Sequence, residues 1–201
     1  MRPWIAGMLL LLSFQPGLAA DRPSVAVLPF GIAKDRAKMR WHGMATTSSL
    51  TEKLRRLPPV RIIPSSEIFD GLGDVGIKLE KSAWIPPAAM QPLGRWLNTE
   101  WFLIGLVGTP KDRKEAASFL QWSALPPKQK GADIWIACQF VKAAAGEVVG
   151  SVYRTGKASD LFAIQDEITV QLLDALDLSI DKEAFQPASR WATPSQKAHK
   201  L

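Results

Sequence analysis

Residues that could act as a nucleophile or a general base are sparse in this chain of 201 residues. It has only two histidines, His42 beside a predicted helix start and His199 near the C-terminus. No Ser-His-Asp arrangement, HExxH motif or Walker loop is present. Because nothing brings a nucleophile, a base and an oxyanion-binding group together, we expect no catalytic residues and no enzymatic activity.

Cys138 is the one cysteine of the chain, so it cannot form an internal disulfide. It alternates with Ile134, Ile136 and Phe140 in a strand-like run, which predicts a buried and unreactive thiol. No second cysteine and no cluster of histidines accompanies it. We therefore expect no metal site.

Gly71, Gly73 and Gly76 match the G-x-G-x-x-G pattern of dinucleotide-binding folds. That mechanism requires the glycines to follow a strand and to open a helix whose N-terminus holds the pyrophosphate. Here a short predicted helix ending at Phe69 precedes them, and residues 77–87 contain no clear helix start. We expect a flexible loop and no cofactor.

Asp166 and Glu167 are adjacent acids within a predicted helix. Neighbouring side chains on a helix point about 100° apart, so the two carboxylates cannot work as a facing acid-base pair. We expect both on the helix surface, where they dock the start of the helix or contact a partner.

Residues 111–131 combine basic residues with an apolar patch around Trp122 and the pair Pro126-Pro127. The basic residues are Lys111, Arg113, Lys114, Lys128 and Lys130. Basic residues around an aromatic side chain can mark a docking surface. The segment predicts an extended hairpin tip or loop with an exposed Trp122, or alternatively a strand extension tucked onto the core. Trp122, Lys128 and Lys130, with Asp166 and Glu167, are the candidate partner-contact residues.

A second basic run, residues 34–40, predicts a solvated loop. Anionic lipid headgroups and an acidic protein are its candidate partners. We expect no nucleic acid, because the chain is predicted below to be exported.

An amphipathic helix is predicted over residues 159–178, and it positions Asp166 and Glu167. Its apolar residues recur at three- and four-residue steps, and Ser159 is a suitable N-cap. A hairpin with strands at 133–141 and 148–155 precedes it. The other predicted elements are strands at 25–30, 60–63 and 101–107 and helices at 44–57 and 88–97. In the first of these helices Met44, Leu50, Leu54 and Leu57 are predicted to face the sheet.

Four motifs in this order carry a resemblance to a known family. They are Ser24-Val25-Ala26-Val27-Leu28-Pro29-Phe30, then Leu93 to Val107, then Gln139 to Gly146, and finally Phe162-Ala163-Ile164-Gln165-Asp166-Glu167-Ile168. Together they resemble the TolB N-terminal-like domain family, which is related to CsgG-like, FlgO-like and LpoB-like envelope proteins. The likeness covers most of the chain after residue 20.

The resemblance implies a single α/β (α+β) domain with a mixed sheet of about five strands. The order is β-α-β-α-β-β-β-α, with helices packed mainly on one face. It also implies a non-catalytic module of the cell envelope that acts by protein-protein contact in envelope assembly or transport. The implied partners are envelope proteins, with peripheral contact to an anionic membrane surface as an alternative.

Residues 1–20 predict a secretory signal peptide, with Arg2 before a short apolar core and small residues at its end, and an uncleaved N-terminal anchor is the alternative. Residues 21–178 predict the domain, and residues 179–201 a flexible C-terminal tail. Removal of Arg2 with the signal peptide changes the formal charge from +6 to +5. The predicted location is periplasmic, in association with the outer membrane if the partner lies there.

Two other functions fit the sequence. One is a CsgG-like secretion component that oligomerises in the outer membrane. The other is a sensor of a small ligand that uses residues 71–87 as a lid. The sequence leaves the oligomeric state open.

Overall fold

The computed structural model describes residues 22–34, 36–57, 60–79, 84–85, 89–127 and 129–175. The predicted signal peptide, the predicted tail and Lys128 lie outside these ranges. The predicted mixed α/β fold is confirmed, and the described ranges contain six strands and five α-helices.

A single mixed sheet runs through the domain in the order β3-β1-β4-β5-β6, with β2 also paired to β4. The strands are β1 (Ser24–Val27), β2 (Gly31–Ile32), β3 (Arg61–Ile62), β4 (Trp101–Gly108), β5 (Ile134–Lys142) and β6 (Glu147–Gly156). Strand β1 pairs in parallel with β3 and β4, and β2 pairs in parallel with β4, whereas β4, β5 and β6 form an antiparallel meander. Strand β4 is central, as its almost wholly apolar sequence predicts.

Five helices cover this sheet. They are α1 (Arg36–Arg55), α2 (Ser65–Asp74), α3 (Met90–Leu97), α4 (Arg113–Leu120) and α5 (Leu161–Ala175). Two apolar clusters show how they pack: α1 and α5 share one cluster with the sheet, and α2, α3 and α4 share the other. Helices thus cover both faces, whereas the resemblance places them mainly on one.

The cause lies in β4 and β5, whose alternate residues are apolar on both sides. Leu103 and Phe140 belong to the cluster with α1 and α5, and their neighbours Phe102 and Val141 belong to the other. All four side chains are fully buried. A strand that is apolar on both faces needs a layer on each side.

The predicted hairpin and its covering helix are confirmed. Strands β5 and β6 pair in register from Lys142 and Glu147 to Ile134 and Gly156, with one irregularity beside Phe140. Helix α5 packs on β6 through Leu161, Ile164, Ile168 and Leu172, which belong to one buried cluster. Ser159 lies in a short 3-10 turn ahead of α5, where its hydroxyl bonds Asp160 at 2.9 Å.

Helix α1 begins at Arg36, so most of the predicted basic loop is helical. Leu50, Leu54 and Leu57 are buried as expected, but the prediction for Met44 was wrong because 62% of its surface is exposed. Six residues of helix rotate by about 600°, which places Met44 roughly 120° away from Leu50. The side chain therefore points out of the sheet-facing stripe.

The glycine-rich segment is not the predicted loop, because α2 runs through Gly71 and Gly73. A Cβ atom on Gly71 would lie 2.8 Å from the Trp96 ring, so this glycine lets α2 approach α3 closely. Gly76 follows the helix with a positive φ of 73°. The glycines therefore lie inside and after a helix, away from the strand-to-helix turn that dinucleotide binding requires.

Helix α3 confirms its prediction, with Met90, Leu93 and Leu97 buried. Asn98 follows it in the left-handed conformation, with φ 46°. Cys138 is completely buried in β5, and burial raises the pKa of its thiol far above the usual range. The predicted unreactive thiol agrees with this environment.

Candidate interaction surface

The adjacent residues Gln165, Asp166 and Glu167 of α5 point to three different neighbours. The Gln165 side chain is fully buried and donates to the Thr46 hydroxyl of α1 at 3.2 Å. Asp166 pairs with Lys53 of α1, and Glu167 accepts from Arg154 of β6 at 3.1 Å. The motif that carries the family resemblance thus holds α5 against both α1 and β6.

Lys53 is the unusual member of this group, because only 4% of its side chain is exposed. Its ammonium group also donates to the Phe162 carbonyl at 3.1 Å. Burial lowers the pKa of Lys53, while the hydrogen bond and the charge of Asp166 oppose that shift. A buried lysine of this kind depends on its carboxylate partner, because an unpaired charge in the interior is costly.

These contacts assign different roles to two of the predicted contact residues. Asp166 is 29% exposed and its carboxylate faces Lys53, whereas Glu167 is 64% exposed and takes part in a surface ion pair. Only Glu167 is readily available to a partner. Lys53 was missed from sequence, although its position three residues after the inward-facing Leu50 is a signal that could have found it.

The described residues of 110–131 form the helical cover over the second face of the sheet, which consists of a 3-10 turn, α4 and a loop after Leu120. They do not form the predicted hairpin tip, and the predicted loop is found only after Leu120. A 3-10 turn at Pro110–Asp112 leads directly into α4. The Asp112 carboxylate closes this turn by accepting from the Thr109 hydroxyl at 2.8 Å. The turn begins here because Thr109 is its N-cap, with Asp112 completing a capping box and Pro110 at the first position, which is a helix start signal.

Polar contacts fasten this helical cover to the sheet and to its own loop. The Gln139 side chain of β5 donates to the Phe119 carbonyl at 3.0 Å, and both residues are buried. The Trp135 indole donates to the Thr109 carbonyl, and Arg113 donates to the Pro126 carbonyl. Lys34, which precedes α1 in the sequence, forms an ion pair of 2.7 Å with Glu115 of α4.

Trp122 is half-buried against the cluster below α4, so the predicted exposure of this side chain was wrong. The backbone explains its position, because Gln121 ends α4 in the left-handed conformation and turns the chain back over Phe119 and Leu120. Lys130 is exposed, as are Lys111 and Lys114. None of these three lysines forms an ion pair within the described part of the chain.

The helical cover therefore presents exposed lysines and a partly accessible indole in one segment. Trp122 and Lys130 belong to it, whereas Asp166 and Glu167 lie on α5 at the other face of the sheet. The structure does not bring the predicted contact residues into one patch. The separation follows from topology, since β6 lies between the two segments in sequence and the chain crosses the sheet edge.

Groups suited to catalysis do not converge in the described residues. No set of three or more His, Cys, Asp or Glu side chains there could hold a metal ion. A depression of about 300 Å³ lies at the end of α3 and is lined by Gln91, Gly94, Arg95, Asn98, Thr99 and Ala144. The Thr99 hydroxyl is already bonded to the Ser24 carbonyl at 3.0 Å, so the depression contains no free nucleophile beside a base.

Within the described ranges, no helix has both the length and the apolar character needed to cross a bilayer.

Several solved structures are similar to this chain. Lipoprotein GNA1162 from Neisseria meningitidis is 11% identical, with 76% of this chain and 99% of that chain covered and a TM-score of 0.44. The LpoB C-terminal domain from Escherichia coli is 8% identical, with 67% and 82% covered and a TM-score of 0.41. A PelC dodecamer from Paraburkholderia phytofirmans is 16% identical, with 82% and 94% covered and a TM-score of 0.40.

Structural similarity with TM-scores below 0.5 and such low sequence identity supports no inference about function. No protein-family model and no curated protein matches the chain. Membership of the TolB N-terminal-like family therefore stays a prediction from the motifs.

Proposed function

We propose that this protein is an exported, non-catalytic module of the cell envelope that works by binding another protein. The family resemblance supports the envelope setting and the TolB N-terminal-like identity. The observation that carries the binding role is the helical cover at residues 111–131. It carries a half-buried Trp122, a residue type enriched at interfaces, in the same segment as the exposed Lys111, Lys114 and Lys130, which can attract an acidic partner.

The polar residues described above fit a role in protein-protein contact better than a role in catalysis. The Lys53–Asp166 and Gln165–Thr46 contacts join α1 to α5 and hold these two helices together. By contrast, Lys111, Lys114 and Lys130 of the helical cover have no ion-pair partner among the described residues. Lysines that carry no internal role can be used for electrostatic recognition of an acidic partner.

Site-specific photo-crosslinking in the native envelope tests this role. A photoreactive phenylalanine analogue replaces Ser123 or Lys130 on the helical cover, or Met44 on α1 as the matched control. All three side chains are exposed, and Met44 lies on the helix layer of the opposite face. We expect one discrete protein to be captured from the helical cover and not from Met44.

A charge reversal then examines whether the basic surface drives that capture. Lys130→Glu should weaken the crosslink formed at Ser123 by about tenfold, whereas Glu67→Lys on α2 should leave it unchanged. Equal capture from both faces, or no capture together with thermal stabilisation by a small metabolite, would refute the proposal. Light scattering on the purified chain gives the assembly size, which the proposal leaves open.

A further inference from the structure

Two buried polar groups beneath the helical cover have no hydrogen-bond partner among the described residues. They are the Nη1 atom of Arg113 in α4 and the hydroxyl of Tyr153 in β6. Tyr153 is only 4% exposed. A buried donor without an acceptor costs about 1–3 kcal/mol, and a charged donor costs more, so these two groups call for an acceptor.

The two groups lie in one place. The Tyr153 and Trp135 rings lie 6.2 Å apart between centroids, and the Trp135 indole donates to the carbonyl of Thr109, which starts the turn that leads into Arg113. Burial raises the pKa of the Tyr153 hydroxyl and the positive charge of Arg113 opposes that shift, which agrees with this placement. Each nevertheless remains unbonded. Both can donate to a third group, and an oxygen acceptor between them would satisfy both.

Arg113 also reaches the surface. Its other terminal nitrogen, Nη2, donates to the carbonyl of Pro126 in an exposed hydrogen bond. That carbonyl can use one arm of the guanidinium fork, whereas a carboxylate can accept from both arms at once. Within the described chain no carboxylate pairs with Arg113, and Lys111 and Lys114 flank it without ion pairs of their own.

We propose that Arg113 and Tyr153 form a binding site for a carboxylate of the protein partner. The carboxylate displaces the Pro126 carbonyl, spans Nη1 and Nη2 of Arg113, and accepts from the Tyr153 hydroxyl. The lysines around it draw an acidic segment towards the site. This inference rests on the proposed function, because the partner supplies the carboxylate.

Tyr153 is the only tyrosine of the chain, which gives the site its own spectroscopic signal. Biosynthetic labelling with 3-fluorotyrosine yields a single ¹⁹F resonance at the site. The full chain is titrated with peptides on one glycine-serine background. One carries an internal Asp-Glu pair and an amidated C-terminus, one is neutral with a free C-terminal carboxylate, and one is neutral and amidated.

We expect at least one carboxylate peptide to shift the resonance to saturation, while the neutral amidated peptide leaves it unchanged. The first two peptides distinguish a side-chain carboxylate from a chain terminus. Arg113→Gln should weaken the binding by about tenfold or more, because a bidentate charged contact is lost. Lys111→Gln removes the same charge from an exposed neighbour and should weaken it by only about twofold.

Arg113→Lys serves as a second variant if Arg113→Gln fails to fold. It keeps the charge but lacks the fork, and should also weaken binding by about tenfold. No shift with either carboxylate peptide, equal affinity in the Arg113 variants, or a response to inorganic phosphate alone would overturn the inference. If crosslinking at Ser123 still captures a protein, the proposed function survives that result; if crosslinking fails as well, both fall.

Discussion

Asp166 and Glu167 show how far two neighbouring acids can differ in what they do. Asp166 neutralises the buried ammonium group of Lys53, and Glu167 pairs on the surface with the partly exposed Arg154. A buried charge that loses its partner is costly, whereas an exposed ion pair contributes little. Substitution of these two adjacent residues should therefore lower the free energy of unfolding by very different amounts.

Asp166→Ala should lower the free energy of unfolding by about 2–4 kcal/mol at neutral pH. Glu167→Ala, its matched control, should lower it by about 0.5 kcal/mol. Urea denaturation followed by circular dichroism measures both. Lys53→Met in the Asp166→Ala background should restore most of the loss, and equal costs for the two single variants would contradict the assigned roles.

The cost of Asp166→Ala should also shrink as the pH rises towards 10.5. Burial already holds the pKa of Lys53 below its usual 10.5 in the folded chain, and loss of the carboxylate removes the groups that oppose this shift. Between the folded and unfolded pKa values the unfolded chain binds more protons, so stability rises with pH. A cost that stays constant from pH 7 to pH 10 would argue against a buried cationic Lys53.

Ionisation of Cys138 should change the folding stability with pH in the direction opposite to that of Lys53. Burial raises the pKa of its thiol above the ordinary 9.0, so the unfolded chain loses the proton first and stability falls as the pH rises above about 9. Wild-type protein should lose about 1.4 kcal/mol per pH unit more than Cys138→Ala in that range. Urea denaturation at a series of pH values measures the difference, and parallel profiles for the two proteins would refute it.

At the scale of the elements, glycines decide how closely the layers approach. Gly105 in the central strand β4 lies against the ring of Phe30, where an added Cβ atom would overlap the ring. Gly73 in α2 has no atom within 4 Å of the position that a Cβ would take. One glycine is thus required by packing, whereas the other merely weakens its helix.

Gly105→Ala should destabilise the chain by about 1–3 kcal/mol, because an overfilled core must shift to accept the methyl group. Gly73→Ala should stabilise it by about 0.5–1 kcal/mol, since alanine favours the helix. Thermal denaturation measures both changes. Phe30→Leu should relieve part of the Gly105→Ala penalty, and additive costs in that double variant would show that the two residues do not meet.

At the scale of the whole molecule, the two apolar clusters share β4 and β5. Leu93 of α3 belongs to one cluster and Leu172 of α5 to the other, and both side chains are fully buried. Each helix layer therefore depends on the same central strands. We infer that the layers unfold together and do not melt separately.

Leu93→Ala and Leu172→Ala should each cost about 3 kcal/mol and should each lower one and the same unfolding transition. Tryptophan fluorescence and far-ultraviolet circular dichroism, recorded on the same samples, should give coincident curves. Phe69→Ala, on a side chain that is 56% exposed, is the control and should cost about 0.5 kcal/mol. Two separated transitions in either leucine variant would contradict a shared core.

The sequence by itself predicted the elements whose apolar pattern is strong. The central strand β4, the hairpin of β5 and β6, the inward face of α3 and the covering helix α5 all follow from local periodicity. Local patterns missed α4 and the continuation of α2 through its glycines. Helix α2 contains two glycines, which weaken it, and α4 has good helix formers but only eight residues, too few for a stable isolated helix, so packing against the sheet stabilises both.

Only the tertiary structure decided which polar residues meet. Lys53 and Asp166 are separated by 113 positions in the sequence. Strand β5 and the loop before it lie between Arg113 and Tyr153. No spacing rule relates the members of either pair. Their contacts depend on which face of the sheet each helix covers. Burial of apolar surface over the whole domain determines which face each helix covers. The periodicity of a sequence shows only that one face of a helix or strand is apolar.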